Sequence, residues 1–311
     1  MKLAMVFPGQ GSQSVGMLKT YAELPGVEAV RAEAQAALGA DFMRLLDEGP
    51  PEQLNLTVNT QPAMVTAAIA AYRAWRALGG PEPGVVAGHS LGEYSALVAA
   101  GVIPLRTALP MVRFRAEAMQ AAVPEGLGAM AAILGLDDDA ARAACSDAAQ
   151  GEVVQAVNFN APGQVVIAGH KTAVARAIEA CKARGAKRAM PLPVSAPFHS
   201  SLMQPAAHKL EGYLKDAVFA APAMPVINNV DVKTESDPGK IKNALVRQAA
   251  SPVRWAEIIR AMAGQGVTHV IECGPGKVLA GLVKRIDPGL QGLAAADRAS
   301  LEAALVAIKG G

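Results

Sequence analysis

Hydrophobic positions along the chain alternate between short continuous runs and longer stretches with a helical period. Residues 2–7 (KLAMVF) form an apolar run stopped by Pro8-Gly9, the pattern of a short buried strand. Helical patterning covers roughly 16–48. A second helix is expected to open at Gln61-Pro62, run through AMVTAAIAAYRAWRA and close at Gly79-Gly80, because proline suits a first helical turn and glycine an end. Residues 84–88 (GVVAG) read as another strand, which passes through His89-Ser90 into the helix LGEYSALVAAG. Strand, tight turn and helix in succession are the unit of an α/β fold. Residues 105–123 are helical by period, with Val112, Ala116, Met119 and Val123 on one stripe. Pro110 is expected to start, kink or split that helix.

Beyond Pro124-Glu125-Gly126 the pattern changes. Strand-like GAMAAIL (128–134), a helix over 137–149, strands VVQAVNF and QVVIAG, a helix over 171–184 ending at Gly185, and a last strand in AKRAMPLPV follow one another. The order βαββαβ is that of a ferredoxin-like unit. It predicts a small subdomain over roughly 124–193, inserted into a larger α/β domain made of 1–123 and 194–311. The larger domain resumes with a strand at 225–229 (PVINN), a helix in WAEIIRAMAGQG, a strand in THVIECG and a helix in GKVLAGLVKRI.

Composition narrows the function classes. With 311 residues, 51% of them hydrophobic, and a mean hydropathy of +0.24, the chain is ordered rather than disordered. A chain of this size buries about 75% of its unfolded surface. Lys and Arg number 29 against 27 acids, a net charge of +2, which gives no case for a general nucleic-acid binder. Cys145, Cys181 and Cys273 are far apart and form no CxxC pair, which speaks against a disulfide framework and a structural zinc. Reduced thiols in the cytoplasm are the expectation. No apolar run reaches the ~18 residues of a membrane span, and the opening MKLAMVFPGQGSQ lacks the signal-peptide pattern.

The candidate chemistry centres on Gly88-His89-Ser90-Leu91-Gly92, a GxSxG pentapeptide between a strand and a helix. Its glycines allow a sharp turn that exposes the Ser90 hydroxyl at a helix N-terminus, where the Leu91 N–H can hold an oxyanion. A serine nucleophile needs a base. Of the five histidines, His199 sits in the loop Ser195-Ala-Pro-Phe-His-Ser200 and is favoured; His89 and His170 remain alternatives. His208 falls in a surface helix, and His269 reads as a core residue of a strand. No acid between Ser90 and His199 stands out to orient the imidazole, since Asp137, Asp138 and Asp139 look like helix-start charges; a backbone carbonyl could do so instead. Gly9-Gln10-Gly11 follows the first strand, so the Gln10 N–H is a second candidate oxyanion donor. Gly274-Pro-Gly-Lys277 lacks the features of a phosphate loop and reads as a helix-capping turn. Arg113 and Arg115 flank the apolar stripe of their helix, and either could pair with a substrate carboxylate, although periodicity alone favours a solvated face for both. Lys182, Arg184, Lys187 and Arg188 likewise read as a solvated basic face.

Taken together, FPGQGSQ (7–13), NTQPA (59–63), GHSLGEYSAL (88–97), NFNAPGQVVIAG (158–169), PFHS (197–200) and ECGPGKVL (272–279) resemble the malonyl-CoA:acyl-carrier-protein transacylases of bacterial fatty acid synthesis. The resemblance runs in order over nearly the whole chain. It implies an α/β-hydrolase-like large domain with the ferredoxin-like subdomain, Ser90 as nucleophile and His199 as base. It further implies Gln248 as the residue whose main-chain carbonyl orients the histidine, Gln10 and Leu91 as oxyanion donors, and Arg115, not Arg113, as the clamp on the malonyl carboxylate. The implied reaction is ping-pong transfer from malonyl-CoA to an acyl carrier protein, without cofactor or metal beyond the phosphopantetheine of the acceptor. A cytoplasmic monomer with no nucleic-acid or membrane partner is expected, its acidic carrier meeting Lys182, Arg184, Lys187 and Arg188. The rivals are a serine hydrolase or thioesterase on the same elbow, a polyketide-pathway acyltransferase, and a non-catalytic interaction protein.

Overall fold

A computed structural model describes residues 2–194 and 196–310. Its strands are β1 (Leu3–Phe7), β2 (Val85–Gly88), β3 (Gly128–Leu134), β4 (Val154–Ala161), β5 (Gln164–His170), β6 (Arg188–Pro191), β7 (Val226–Ile227), β8 (His269–Cys273) and β9 (Gln291–Ala295). They form a five-stranded sheet of order β7-β2-β1-β8-β9 and a four-stranded sheet of order β4-β5-β3-β6. Every neighbouring pair in the first is parallel, and every pair in the second antiparallel.

The parallel sheet is covered on both faces, which is why β1 is buried from end to end and reads as an unbroken apolar run. Leu3, Met5 and Phe7 point into one core with Trp75 and Met111, whereas Ala4 and Val6 point into another with Trp255, Ile258 and Val283. β1 and β2 lie side by side with Phe7 opposite Gly88, so the loops that leave their C-terminal ends are neighbours. That places Gly9–Gly11 against the Ser90 turn, at the edge where open α/β sheets bind ligands.

In the second sheet Ala131, Ile133, Val165 and Ile167 pack under the helices Asp138–Ala149 and Lys171–Ala183. The opposite face, through Met130, Val157, Val166 and Ala168, packs on Met119 and Val123 at the end of the helix Leu105–Gln120 and on Phe198 and Met203. Asp137 caps its helix by accepting from the Ala140 N–H at 2.7 Å, as an acid at a helix start should.

Several expectations are corrected. The helix Thr57–Ala77 begins before Gln61-Pro62 and carries Pro62 inside, and Leu105–Gln120 runs unbroken through Pro110. Both prolines fall near the helix start, so each missing N–H would have reached only a first-turn carbonyl, and the buried flanks hold the helix together. Region 16–48 divides into a 3₁₀ turn (Met17–Tyr21) and helices Val27–Leu38 and Ala40–Glu48, interrupted by Gly26 and Gly39 at positive φ. β7 keeps only Val226–Ile227 of PVINN, because Asn228 turns to pair its N–H with the Lys233 carbonyl at 3.0 Å. His269 is half-buried at the start of β8, 2.9 Å from the Thr268 hydroxyl, rather than a core residue. The helices Pro238–Ala249 and Arg298–Lys309, and β9, lie outside the sequence expectations.

Candidate active site

Ser90 occupies the turn between β2 and the helix Gly92–Ala99 with φ 52, a left-handed conformation that costs a side-chain-bearing residue energy. The flanking glycines are dictated by contact. A Cβ on Gly88 would run into the Gly92 carbonyl, and one on Gly92 into the Phe7 carbonyl. Asn229 staples the turn from outside: its Oδ1 accepts from the Ser90 N–H at 2.7 Å, and its Nδ2 donates to the Gly88 carbonyl at 2.7 Å.

The Ser90 Oγ lies 2.6 Å from the His199 Nε2. His199 Nδ1 lies 2.9 Å from the Gln248 carbonyl, which can only accept, so the ring proton belongs on Nδ1 and Nε2 is left to receive the serine proton. Burial, and next the nearby Arg115 guanidinium, push the imidazole down to about 3. His199 is therefore neutral at physiological pH, in the form a base requires.

Arg115 is only 2% exposed, which overturns the solvated face that its helical period favours. Its Nη1 donates to Gln61 Oε1 at 2.9 Å, and its Nη2 to Gln248 Oε1 at 2.9 Å and to Ser90 Oγ at 3.1 Å. Its Nε meets no partner among the described residues. All of these acceptors are neutral, so a buried cation faces the nucleophile without a bonded carboxylate. Burial accordingly drags its pKa down. A buried charge of this kind costs several kcal/mol until an anion pairs with it. Arg113 instead lies half-buried with its guanidinium 5.4 Å from the Phe42 ring.

Ser90, His199 and Arg115 line one cavity of about 460 Å³, together with Gln10 and Leu91. Among the described residues, neither the Gln10 nor the Leu91 backbone N–H has a backbone acceptor. The Gln10 side chain is held by Thr57, whose hydroxyl donates to Oε1 at 2.7 Å. The other histidines do not reach the serine hydroxyl. His89 lines the cavity, but its Nε2 pairs with Asn160 Oδ1 at 2.8 Å and its ring rests 5.4 Å from Trp255. His170 accepts the Val153 N–H at 3.0 Å, and His208 is exposed beside Glu211. Of the basic cluster, Lys182 pairs with Glu179 and Arg184 with Asp147, leaving Lys187 and Arg188 exposed on and beside β6. That strand leads into Leu192–Val194 in the cavity wall.

Four residues of the site escaped sequence reasoning as actors: Gln61, Glu93, Asn160 and Asn229. Each sits within a recognisable motif or strand, NTQPA, GHSLGEYSAL, NFNAPG and PVINN, but nothing local distinguishes a side chain that bonds across more than fifty residues. The Gly274–Lys277 turn does precede a helix, Val278–Ile286, whose Ala280 N–H is taken by the buried Glu272 at 2.8 Å.

A strained serine between a parallel strand and a helix, with a neutral imidazole on its oxygen, is the arrangement of enzymes that carry an acyl group on serine. In agreement, the family model for the acyl transferase domain matches residues 4–296. The chain belongs to the malonyl CoA-acyl carrier protein transacylase family. It is 57% identical over 305 residues to that enzyme of Escherichia coli strain K12, covering 98% of this chain and 99% of the relative. With the Bacillus subtilis enzyme it shares 45% over 310 residues, 99% and 98% of the two chains. Among solved structures, the acyl-carrier-protein S-malonyltransferase of Burkholderia pseudomallei superimposes with a TM-score of 0.96 at 62% identity, covering 98% of this chain and 99% of that one. A malonyl-transacylase in complex with its type II polyketide acyl-carrier protein gives 0.96 at 54% identity, with 98% and 99% covered.

Proposed function

We propose that the chain moves a malonyl group from malonyl-CoA to the phosphopantetheine thiol of an acyl carrier protein, by way of a malonyl ester on Ser90, and so supplies extender units for fatty acid synthesis. The observation that carries this is the single oxygen, Ser90 Oγ, contacted by both the His199 Nε2 and the Arg115 Nη2. A base alone would serve any acyl group; a buried cation on the same oxygen selects an acyl group that brings its own anion.

In the first half-reaction Ser90 Oγ attacks the thioester carbonyl while its proton passes to His199 Nε2. The Leu91 and Gln10 N–H groups hold the resulting oxyanion. The C–S bond then breaks, and the proton on His199 goes to the leaving coenzyme A sulfur. In the second half-reaction His199 takes the proton of the carrier's thiol, the sulfur attacks the malonyl ester, and Ser90 leaves with the proton returned. The Gln248 carbonyl keeps the imidazole in the required tautomer throughout. Arg115 pairs with the malonyl carboxylate, whereas an acetyl group leaves the guanidinium unpaired. Thioester, ester and thioester succeed one another, so the chemistry calls for neither redox nor metal assistance.

The parallel sheet, built by 1–123 and 194–311, serves as an α/β-hydrolase-like large domain, and 124–193 as a ferredoxin-like small one. The strand order β4-β5-β3-β6, with both helices on one face, supports the latter. Lys187 and Arg188, exposed on and beside the strand whose other end leads into the cavity wall, are the residues offered to an acidic carrier.

Discharge of the acyl-enzyme tests the proposal against a hydrolase on the same elbow. Enzyme labelled with malonyl-CoA and freed of excess donor should hold its label in buffer and lose it to the carrier's thiol. Rapid release of free malonate, indifferent to the carrier, would identify a hydrolase.

A further inference from the structure

Beneath the catalytic turn lies a carboxylate that the proposed mechanism does not use. Glu93, in the first turn of the helix Gly92–Ala99, is 2% exposed. Its Oε2 accepts two bonds, from the Asn229 backbone N–H at 3.0 Å and from Gln248 Nε2 at 2.8 Å. Each donor residue then holds part of the site. Asn229 grips the Ser90 turn on both sides, through the Ser90 N–H and the Gly88 carbonyl. Gln248 gives its side-chain Oε1 to Arg115, its backbone carbonyl to His199 and a second bond from Nε2 to the Ser90 carbonyl at 3.0 Å.

An amide can be inserted in two orientations, and Glu93, together with the Ser90 carbonyl and Arg115, leaves Gln248 only one. An oxygen that only accepts must face the NH2 of Gln248, so the Gln248 oxygen must face the guanidinium, which only donates. Reversing the amide would set oxygen against oxygen at one end and donor against donor at the other. One carboxyl oxygen thus ties the Asn229 backbone to the Gln248 amide, and nucleophile, base and cation depend on these two residues.

Resting on the acyl-transfer function proposed above, we infer that Glu93 is a positioning residue, which through Asn229 and Gln248 holds Ser90, His199 and Arg115 in a common register. What the network uses is an accepting oxygen at this reach, not the negative charge. Both bonds fall on Oε2, so Oε1 can carry a proton while the geometry stands. Burial pushes the Glu93 carboxyl up to about 7, which brings the neutral acid into the physiological range. A glutamine at 93, with its carbonyl oxygen in the place of Oε2, would keep both bonds.

The test compares Glu93→Gln, Glu93→Ala and Glu93→Asp by the rate of malonyl-Ser90 formation per folded molecule and by the preference for malonyl-CoA over acetyl-CoA. Losing a buried acceptor should slow malonylation by about 10–100-fold in the alanine variant and lower its malonyl preference, while the glutamine variant stays within about fivefold of the parent. Aspartate keeps the charge but falls short by a methylene, so it should be slow as well, and it serves if the alanine variant does not fold. Rescue by glutamine is the decisive readout, because a purely structural loss would change the thermal midpoint and leave the folded fraction fully active and equally selective. A folded alanine or aspartate variant with parental rate and preference overturns the inference, and so does a glutamine variant as slow as alanine. If the parent enzyme itself formed no malonyl-Ser90, the proposed function would fail instead.

Discussion

The parallel and antiparallel sheets meet at one cavity but bring different things to it. From the parallel sheet come polar groups: the loop after β1 supplies Gln10, and the turn after β2 supplies Ser90 and Leu91. From the antiparallel sheet and its exit segment come mainly apolar walls, Met130 from β3 and Leu192–Val194 after β6. The reason is backbone hydrogen bonding. A parallel sheet ends in strand-to-helix turns whose N–H groups are free, whereas antiparallel strands satisfy their backbones along the ladder and offer only side chains. Chemistry thus collects on one sheet, while the other closes the site and shapes its mouth.

The sharpest separation should come from the buried face of the antiparallel sheet. Ile167 is fully buried under its helices. Ile167→Ala should cost about 2–5 kcal/mol of stability, measured by urea unfolding, yet leave the malonylation rate per folded molecule unchanged. A loss of rate in the folded fraction would mean that the small sheet takes part in the chemistry. On the other side, Arg115→Ala should weaken malonyl transfer by about 2–4 kcal/mol in kcat/KM while acetyl transfer survives or rises. Equal loss with both donors would remove the arginine from selectivity.

Acidity probes the same pair of residues more finely. His199 is held at about 3, so with acetyl-CoA as donor kcat/KM should stay flat as pH falls through the ordinary imidazole value of 6.5. Arg115→Ala removes a neighbouring cation, and its acid limb should move upward. An acid limb at the ordinary histidine value in the parent would show that burial and Arg115 do not hold the imidazole down. For stability the sign is fixed by the same shift. The unfolded chain takes up this proton first, so the contribution of His199 is present above 6.5 and is lost as pH falls toward 3. The smallest effect belongs to the rim. Lys187→Glu with Arg188→Glu should raise the KM for the carrier protein severalfold and leave the coenzyme A half-reaction untouched, in keeping with solvent-screened charges. An unchanged KM would place carrier docking elsewhere.

How much was legible in the sequence follows local chemistry. Ser90 announced itself because a GxSxG turn needs its glycines within five residues, and β1, β2, β3 and β8 announced themselves because each is a short apolar run next to a breaker. The burial of Arg115 was not legible. Its helix is amphipathic by period, and the groups that surround its guanidinium, Gln61, Ser90, Tyr94 and Gln248, come from elements distant in the chain. Gln248 could be singled out only by resemblance, since the carbonyl that orients His199 is a backbone group that no residue type encodes, and its side-chain partners lie far away in the chain. The Glu93 network joins elements far apart in the chain, and a glutamate in the first turn of a helix is an ordinary dipole partner until its surroundings are known.

The most direct test maps the acyl group on the protein. After brief exposure to malonyl-CoA and acid quench, peptide mass spectrometry should find one malonyl group, on the peptide containing Ser90, and none in Ser90→Ala. A malonyl group on another residue, or an unmodified Ser90 in an enzyme that still transfers malonyl to the carrier, would contradict the account at its centre.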